Sequence, residues 1–460
     1  MRRVQLAQLA AWCDGRIVGA DVAIDAVAID SRAVASGALF VALRGERVDG
    51  HDFVPAAADA GAAAALVERE VDAALPQLLV ADAERALAGI AAGIQAARTT
   101  RVAAITGSNG KTTVKTMLGA ILARAGRAYA NPGNRNNEIG LPLAVLDAPE
   151  DADFAVYEMG AGKPGDIAYL TAVARPHVAL VNNVAPAHLE RMGSLLGVAE
   201  TKGAIYRALP EDGVAVINAD DAFAPYFREL AGDRRVLDVG LEASAAVTAS
   251  DIVADAAGSR FRLHAPEGAI DVALPFAGRH NVRNALAAAA CALGLGAGLD
   301  AVRDGLAAAP AVAGRQVAHA LAGGVVLIDD SYNANPGSVA AAIDTLAAAG
   351  GEAWLVLGEM KELGADEARL HADVGTRARE RGIARLFALG PLNRNTVAAF
   401  GAGARQFDTH AALIEALRAE LDGAAAGTRV LVKGSRSAAM DRVVAALLPA
   451  ATKEDSAHAA

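Results

Sequence analysis

The sequence is poor in aromatics, cysteine and clustered positive charge, and each shortage excludes something. Aromatic residues make up 4% of the 460-residue chain although 53% of it is hydrophobic. The apolar content is therefore mostly alanine and small aliphatics, suited to helices packed closely on sheets. Two cysteines, Cys13 and Cys291, stand alone. Without metal-ligand or redox spacing they exclude a disulfide framework and read as buried small hydrophobes in a reducing compartment. The net charge is -10 and no dense Lys/Arg run is present, which argues against nucleic acid as a partner; an anionic small substrate would need only local positive groups. The longest uncharged apolar stretch, Ala285 to Leu299, has fifteen residues and is broken by Gly294, Gly296 and Gly298. That is short of the roughly 20 residues that span a bilayer, so no transmembrane segment is expected. At the N-terminus, MRRVQLAQLAAWCDG sets two arginines before an apolar run, but Gln5 and Gln8 break it and Trp12 stands where a small residue would precede a cleavage site. It reads as a short amphipathic helix rather than an export signal, and the expected location is cytoplasmic.

What is present is an alternation. From residue 101 onward short apolar runs alternate with alanine-rich helical stretches, the pattern of strands and crossover helices in a parallel sheet. The expected strands are RVAAI, DFAVYE, HVALVNN and GVAVIN, then VVLIDD, AWLVLG, RLFALG and RVLVKG. Between the two sets, LHAPEGAIDVALPFAGRHNVRNALAAAA reads as two strands and a helix, and AAPAVAGRQ as a linker at 310–314. The fold class is α/β, with three domains expected at 1–98, 99–312 and 313–460. Open sheets of this kind bind ligands outside the carboxyl ends of their strands, where Glu158, Asn183, Asn218, Asp330 and Lys433 fall.

The chemistry starts at TGSNGKTT, residues 106–113, between RVAAI and a stretch in which Val114, Met117, Leu118, Ile121 and Leu122 form the buried stripe of a helix. Strand, glycine loop and helix in this order make a phosphate cradle: backbone N–H groups from Gly107 to Thr113, the positive helix end, Lys111 for the terminal phosphates and the Thr112 hydroxyl for Mg²⁺. The usual first glycine of such loops is replaced by Ile105. A hard cation also needs a carboxylate, and Glu158, ending the next strand, is the candidate. Taken alone, these features fit a hydrolase or kinase as well as a ligase.

TGSNGKTT, YEMGA (157–161), NNVAPAHLERMGS (182–194), ETKGAIY (200–206) and GRHNVRNALAA (278–288), in that order, strongly resemble the Mur ligase family, ATP-dependent amide-forming enzymes of peptidoglycan precursor synthesis and cell wall biogenesis. Its short TGxxGKT loop accounts for the missing glycine. IDSRAVASGALFVALRGERVDGHDF (29–53), NRNNEIGLPLAVL (134–146), LIDDSYNANPGSV (327–339) and VLGEMKELG (356–364) narrow the resemblance to the branch that joins D-Ala-D-Ala to UDP-N-acetylmuramoyl-tripeptide. A sister Mur ligase or a folylpolyglutamate synthetase-like enzyme is the alternative.

The resemblance implies a small N-terminal α/β domain that binds UDP, a central P-loop ATPase-like domain with a parallel sheet, and a C-terminal Rossmann-like domain. It implies that Gly107, Ser108, Asn109, Gly110, Lys111, Thr112 and Thr113 hold ATP, with Asn281 and Asn284 near the adenine and Arg315, Asp330 and Asn333 brought to the nucleotide on closure. Glu158, His188 and Thr112 would approach magnesium, joined by Lys202 as a carbamate; Lys111, Glu158, His188 and Lys202 would be the catalytic set. Ser31 and Arg32 would contact the UDP moiety, and Asn136 and Asn137 the muramoyl-peptide. Where family members carry an acid two residues after the modified lysine, this chain has Ala204. The expected partners are the two substrates, with no nucleic acid, and the expected state is a monomer.

Overall fold

The computed structural model describes residues 1–186, 189–255 and 258–449. The chain builds three α/β bodies in sequence order. In the first, strands Ala26–Ala28, Ala38–Val41, Ala64–Val67 and Gln77–Leu79 run parallel, and Arg16–Val18 closes the far edge antiparallel. The amphipathic segment expected at the N-terminus is the helix Leu6–Trp12, with Leu6 and Leu9 fully buried.

The second body carries six parallel strands in the order Arg235–Val239, Val214–Asn218, Val178–Val181, Arg101–Thr106, Phe154–Glu158, Ala128–Ala130. The strand preceding the phosphate loop thus lies centrally, and the chain turns first to one side of it and then to the other. That reversal opens a crevice at the carboxyl ends, where ligands bind in open α/β sheets. Two strands here, 128–130 and 235–239, escaped the sequence reading. The first has only three residues, and the second, at the sheet edge, is a five-residue run interrupted by the charges of Arg235 and Asp238. One more appeared in the next segment: Thr248–Ala254, Ser259–Ala265 and Gly268–Leu274 form a three-stranded antiparallel sheet. It packs with the alanine-rich helix Arg279–Gly294, whose small side chains let it lie against the central sheet with almost every apolar position buried.

The third body is a six-stranded sheet in the order 317–320, 326–330, 429–433, 353–357, 385–389, 404–407, parallel except for the first strand. The four expected strands form its middle; the added pair are the edges.

One face of the first body's sheet buries a cluster of its own, Phe40, Val54, Ala57, Ala65 and Val67, while the other face shares its core with the second body. The first body's long helix Ala83–Ala96, capped by the Asp82 carboxylate accepting from Arg85 N–H, packs against helices Gly140–Asp147 and Asp166–Ala174. One apolar cluster runs from Leu6 through Ile90 and Tyr157 to Phe227. The buried Arg98 guanidinium tightens this junction, donating to the carbonyls of Val145 and Ala148 at 2.7 Å and to Glu150. Among the described residues no helix is long and apolar enough to cross a membrane.

Candidate active site

The phosphate loop is shaped by two glycines, Gly107 at φ 147° and Gly110. Gly110 sits at φ 79°, in the left-handed region, at the N-terminus of the helix Lys111–Ala125. A Cβ there would lie 2.5 Å from Asn182 Nδ2 and 2.6 Å from Asn284 Oδ1. Those two amides hold the loop from beneath: Asn182 Nδ2 donates to Asn109 O at 2.9 Å and to Asn284 Oδ1 at 3.0 Å, while Asn284 Nδ2 donates to Asn281 Oδ1 at 3.1 Å. Asn183 Oδ1 accepts from Asn109 N–H, and Ser108 Oγ bridges to the backbone of Ala185. The loop is thereby fixed before any phosphate arrives. Lys111 Nζ folds back to donate to Gly107 O at 2.8 Å, across the cradle. Burial lowers its pKa, with Arg315 adding to that effect and Glu158 opposing it.

Glu158 ends its strand pointing into the crevice, with the residue only 4% exposed. Its Oε1 accepts from Asn136 Nδ2 at 3.0 Å. Its Oε2 has no hydrogen-bond partner, although the Lys115 ammonium lies 3.3 Å away as an ion contact. Burial would raise the pKa of this carboxyl, but Lys111 and Lys115 outweigh it and hold it below the ordinary carboxylate range. It is an ionised, partly unsatisfied carboxylate beside the phosphate loop. Lys202 is buried on the helix Leu195–Arg207 and lines the same cavity. Burial, then the Lys111 charge, lowers its pKa from 10.5 to about 7, with Asp166 opposing. A good fraction of this lysine is a neutral amine at neutral pH.

From the third body, Arg315 stacks its guanidinium 4.4 Å from the centre of the Tyr332 ring and donates to Thr112 Oγ1 at 2.9 Å. Asn335 Nδ2 donates to Asn109 Oδ1 at 2.7 Å. Asp330 is buried and paired with Lys433 at 2.8 Å; burial raises its pKa against the pull of that lysine. Lys433 also donates to Asn333 O. The third body therefore already touches the phosphate loop in this structure.

A cavity of about 630 Å³ lies between these elements. Gly107, Ser108, Asn109, Gly110, Lys111, Thr113, Asn136, Asn137, Glu158, Lys202, Asn281, Asn284, Arg315, Asp330 and Asn333 all line it. Thr112 does not line it; its hydroxyl accepts from Arg315, which does. Ser31 and Arg32 do not: they lie in the turn Ser31–Ala33, where Arg32 forms a bidentate pair with Asp30. His188 lies outside the described residues. Asn284 and Asn281 support the loop from below rather than merely bordering the cavity. The sequence reading missed Lys115, Asn131, Asn182, Tyr332 and Asn335. Lys115 had one signal, its place one helical turn after Lys111. The others depend on contacts far apart in the chain.

A phosphate loop at a sheet's switch point, closed over by a separate Rossmann-like body, defines a multidomain nucleotide-dependent enzyme. Three family models cover most of the chain: "Mur ligase family, catalytic domain" at 23–107, "Mur ligase middle domain" at 105–292 and "Mur ligase, glutamate ligase domain" at 314–436. The UDP-N-acetylmuramoyl-tripeptide--D-alanyl-D-alanine ligase of Escherichia coli is 45% identical over 97% of this chain and 99% of its own. The crystal structure of MurF from Acinetobacter baumannii superposes with a TM-score of 0.92 at 34% identity, covering 97% of this chain and 99% of that one. MurF from Thermotoga maritima in complex with ADP gives 0.84 at 30% identity, covering 92% and 96%. The chain belongs to the Mur ligase family and is a ligase.

Proposed function

We propose that this ligase adds D-alanyl-D-alanine to UDP-N-acetylmuramoyl-tripeptide with ATP, giving the pentapeptide, ADP and phosphate. The observation that carries it is the convergence of phosphate loop, Glu158, Lys202 and the asparagine loop on one cavity, beside the likeness to relatives named for this reaction. The domains are assigned to 1–98 for UDP-sugar, 99–312 for ATP and 313–460 for the Rossmann-like body.

The tripeptide's terminal carboxylate attacks the γ-phosphorus of ATP in line; the bond to the β-phosphate oxygen breaks, releasing ADP and leaving an acyl phosphate. Lys111, freed from Gly107 O, stabilises charge on the transferring phosphoryl group. The dipeptide amine then attacks the acyl carbon, loses a proton, and phosphate leaves from the tetrahedral intermediate. Water would hydrolyse the acyl phosphate, so the site must be closed, and the contacts of Arg315 and Asn335 to the phosphate loop are closing contacts.

The residues present fit Mg²⁺: the Glu158 carboxylate is buried and anionic, its Oε2 met in the fold by the Lys115 ammonium at 3.3 Å, and the Thr112 hydroxyl, at the start of the helix Lys111–Ala125, is close enough to that carboxylate to help hold its pKa down. No group of three His, Cys, Asp or Glu side chains suited to a metal exists among the described residues, so Glu158 and Thr112 would be joined by phosphate oxygens, His188 and a carbamate on Lys202. When bound, the ion neutralises phosphate charge as a Lewis acid. Lys202 suits carbamylation because its buried amine is substantially neutral near pH 7. The enzyme is assigned to the cytoplasm as a monomer.

The test is phosphate release from ATP and magnesium with UDP-muramoyl-tripeptide and D-Ala-D-Ala each present or omitted. Dependence on both substrates is expected. Release independent of both would replace the ligase reading with a hydrolase.

A further inference from the structure

Lys115 is a lysine that the reaction above does not use. It projects from the helix Lys111–Ala125 one turn beyond Lys111 and is buried, with the residue 5% exposed. A lysine ammonium has three donor directions. Here the ammonium donates to Asn131 O at 2.9 Å and Gly133 O at 3.0 Å and faces Glu158 Oε2 at 3.3 Å. So committed, it is not directed at a substrate. Burying an ammonium demands compensation of this quality, and the compensation comes from two separate pieces of the site.

The first piece is the loop 131–137. Asn131 Nδ2 donates to Arg135 O at 2.9 Å, closing a turn that passes through left-handed Gly133. The second is the end of the Glu158 strand. Asn131 Oδ1 accepts from Glu158 N–H at 2.9 Å, Asn136 Nδ2 donates to Glu158 Oε1 at 3.0 Å, and Gly160 N–H donates to Asn136 O at 2.8 Å. Asn137 Oδ1 then accepts from Gly140 N–H at the head of the next helix. The loop is thus anchored along the strand end by backbone and amide contacts, and to the phosphate-loop helix by Lys115.

We propose that Lys115 is a positioning residue for the acceptor: it locks loop 131–137, and with it Asn136 and Asn137, in register with the helix that carries Lys111 and Thr112. The acceptor carboxylate and the γ-phosphoryl group then meet at a fixed separation, the condition for in-line transfer. The inference rests on the reading of Asn136 and Asn137 as acceptor-facing. Without Lys115 the loop loses its tether to the helix while the phosphate cradle, held by Asn182, Asn183 and Asn284, stays intact. Removing the ammonium also takes a competing positive charge away from Glu158.

The experiment is calorimetry on Lys115→Met and on the parent. Two affinities are read: that of a non-hydrolysable ATP analogue with magnesium, and that of UDP-muramoyl-tripeptide for the analogue-saturated enzyme. Loss of charge-assisted hydrogen bonds should weaken the acceptor at least about tenfold while the analogue changes less than about threefold. An unchanged acceptor affinity overturns the proposal, as does a parallel loss of both, which would mark general damage. If Lys115→Met fails to fold, Lys115→Gln, which keeps a polar end on the buried stem but loses the ammonium, decides by the same two affinities and the same limits. A parent enzyme that binds the analogue but not the acceptor would overturn the acceptor reading itself, and the inference with it.

Discussion

Arg315 donates to the hydroxyl of Thr112 across 2.9 Å, although 203 residues separate them in the chain. This contact joins the Rossmann-like body to the loop assigned to ATP and magnesium, and the Tyr332 ring beneath the guanidinium keeps it there. Tyr332 N–H also donates to Gly314 O at 3.1 Å, so ring and arginine move with one body. The arginine can approach the phosphates only as far as its platform allows.

Replacing Arg315 by alanine removes a charge-assisted bond worth about 1.5–3 kcal/mol, and kcat should fall about tenfold to hundredfold. Tyr332→Leu removes only the platform, worth about 0.5–2 kcal/mol, and should lower kcat by about threefold to thirtyfold, whereas Tyr332→Phe should retain activity. Steady-state rates at saturating substrates check both, and equal losses in Phe and Leu would assign the effect to the hydroxyl instead.

Gly110→Ala should cripple the phosphate loop. The new Cβ would meet Asn182 Nδ2 at 2.5 Å and Asn284 Oδ1 at 2.6 Å, at a backbone φ of 79° that side chains avoid. Calorimetry with ADP should show at least about a tenfold loss of affinity, since strain of about 1–2 kcal/mol alone approaches that. Gly165→Ala is the control: its φ is 93° with nothing within 4 Å of the added carbon, so it should lose stability without losing nucleotide.

The helix that bears Lys202 is fixed to the sheet through Tyr206, one turn on. The Tyr206 hydroxyl accepts from Val181 N–H at 3.0 Å and donates to Val216 O at 2.7 Å, all buried. Tyr206→Phe leaves that N–H and carbonyl unmatched at about 1–3 kcal/mol. Thermal unfolding should shift down by several degrees, and a midpoint unchanged within a degree would show that another group takes up the hydroxyl's role.

The reach of the sequence differed between parts of this site. TGSNGKTT was legible because a phosphate cradle is built from consecutive residues on a strand, a loop and a helix, each with its own local signal. Glu158 was legible from its place at a strand end. Asn131 and Asn182 were not, because an asparagine acquires meaning only when the fold brings it to Glu158 N–H or Asn109 O, and as a residue type it signals a turn. Strands 128–130 and 404–407 are short sheet edges, where tertiary pairing overrides weak local preference. Ser31 and Arg32 were singled out by resemblance alone; they lie in the turn Ser31–Ala33, where Arg32 pairs with Asp30, and neither lines the cavity.

Lys202 makes stability depend on pH in a direction opposite to that of a salt-bridged lysine. Its pKa falls from 10.5 in the unfolded chain to about 7 in the fold, chiefly through burial. Below pH 7 the folded state carries a buried charge and bears the full destabilisation. Between pH 7 and about 10.5 the unfolded chain holds a proton that the folded chain has released, so stability rises with pH across that window; above it both forms are neutral and the penalty is gone. In buffers free of carbon dioxide, Lys202→Met should therefore be more stable than the parent at pH 6 to 7, with the advantage shrinking steadily toward pH 10. Urea unfolding midpoints at several pH values check this. The same variant should lack activity, whereas Lys202→Ala should recover part of it with short-chain carboxylates if the carbamate supplies the missing oxygen donors. A stability advantage independent of pH would show that the lysine is not titrating in the fold, and with it the argument for a neutral, carbamate-forming amine would fall.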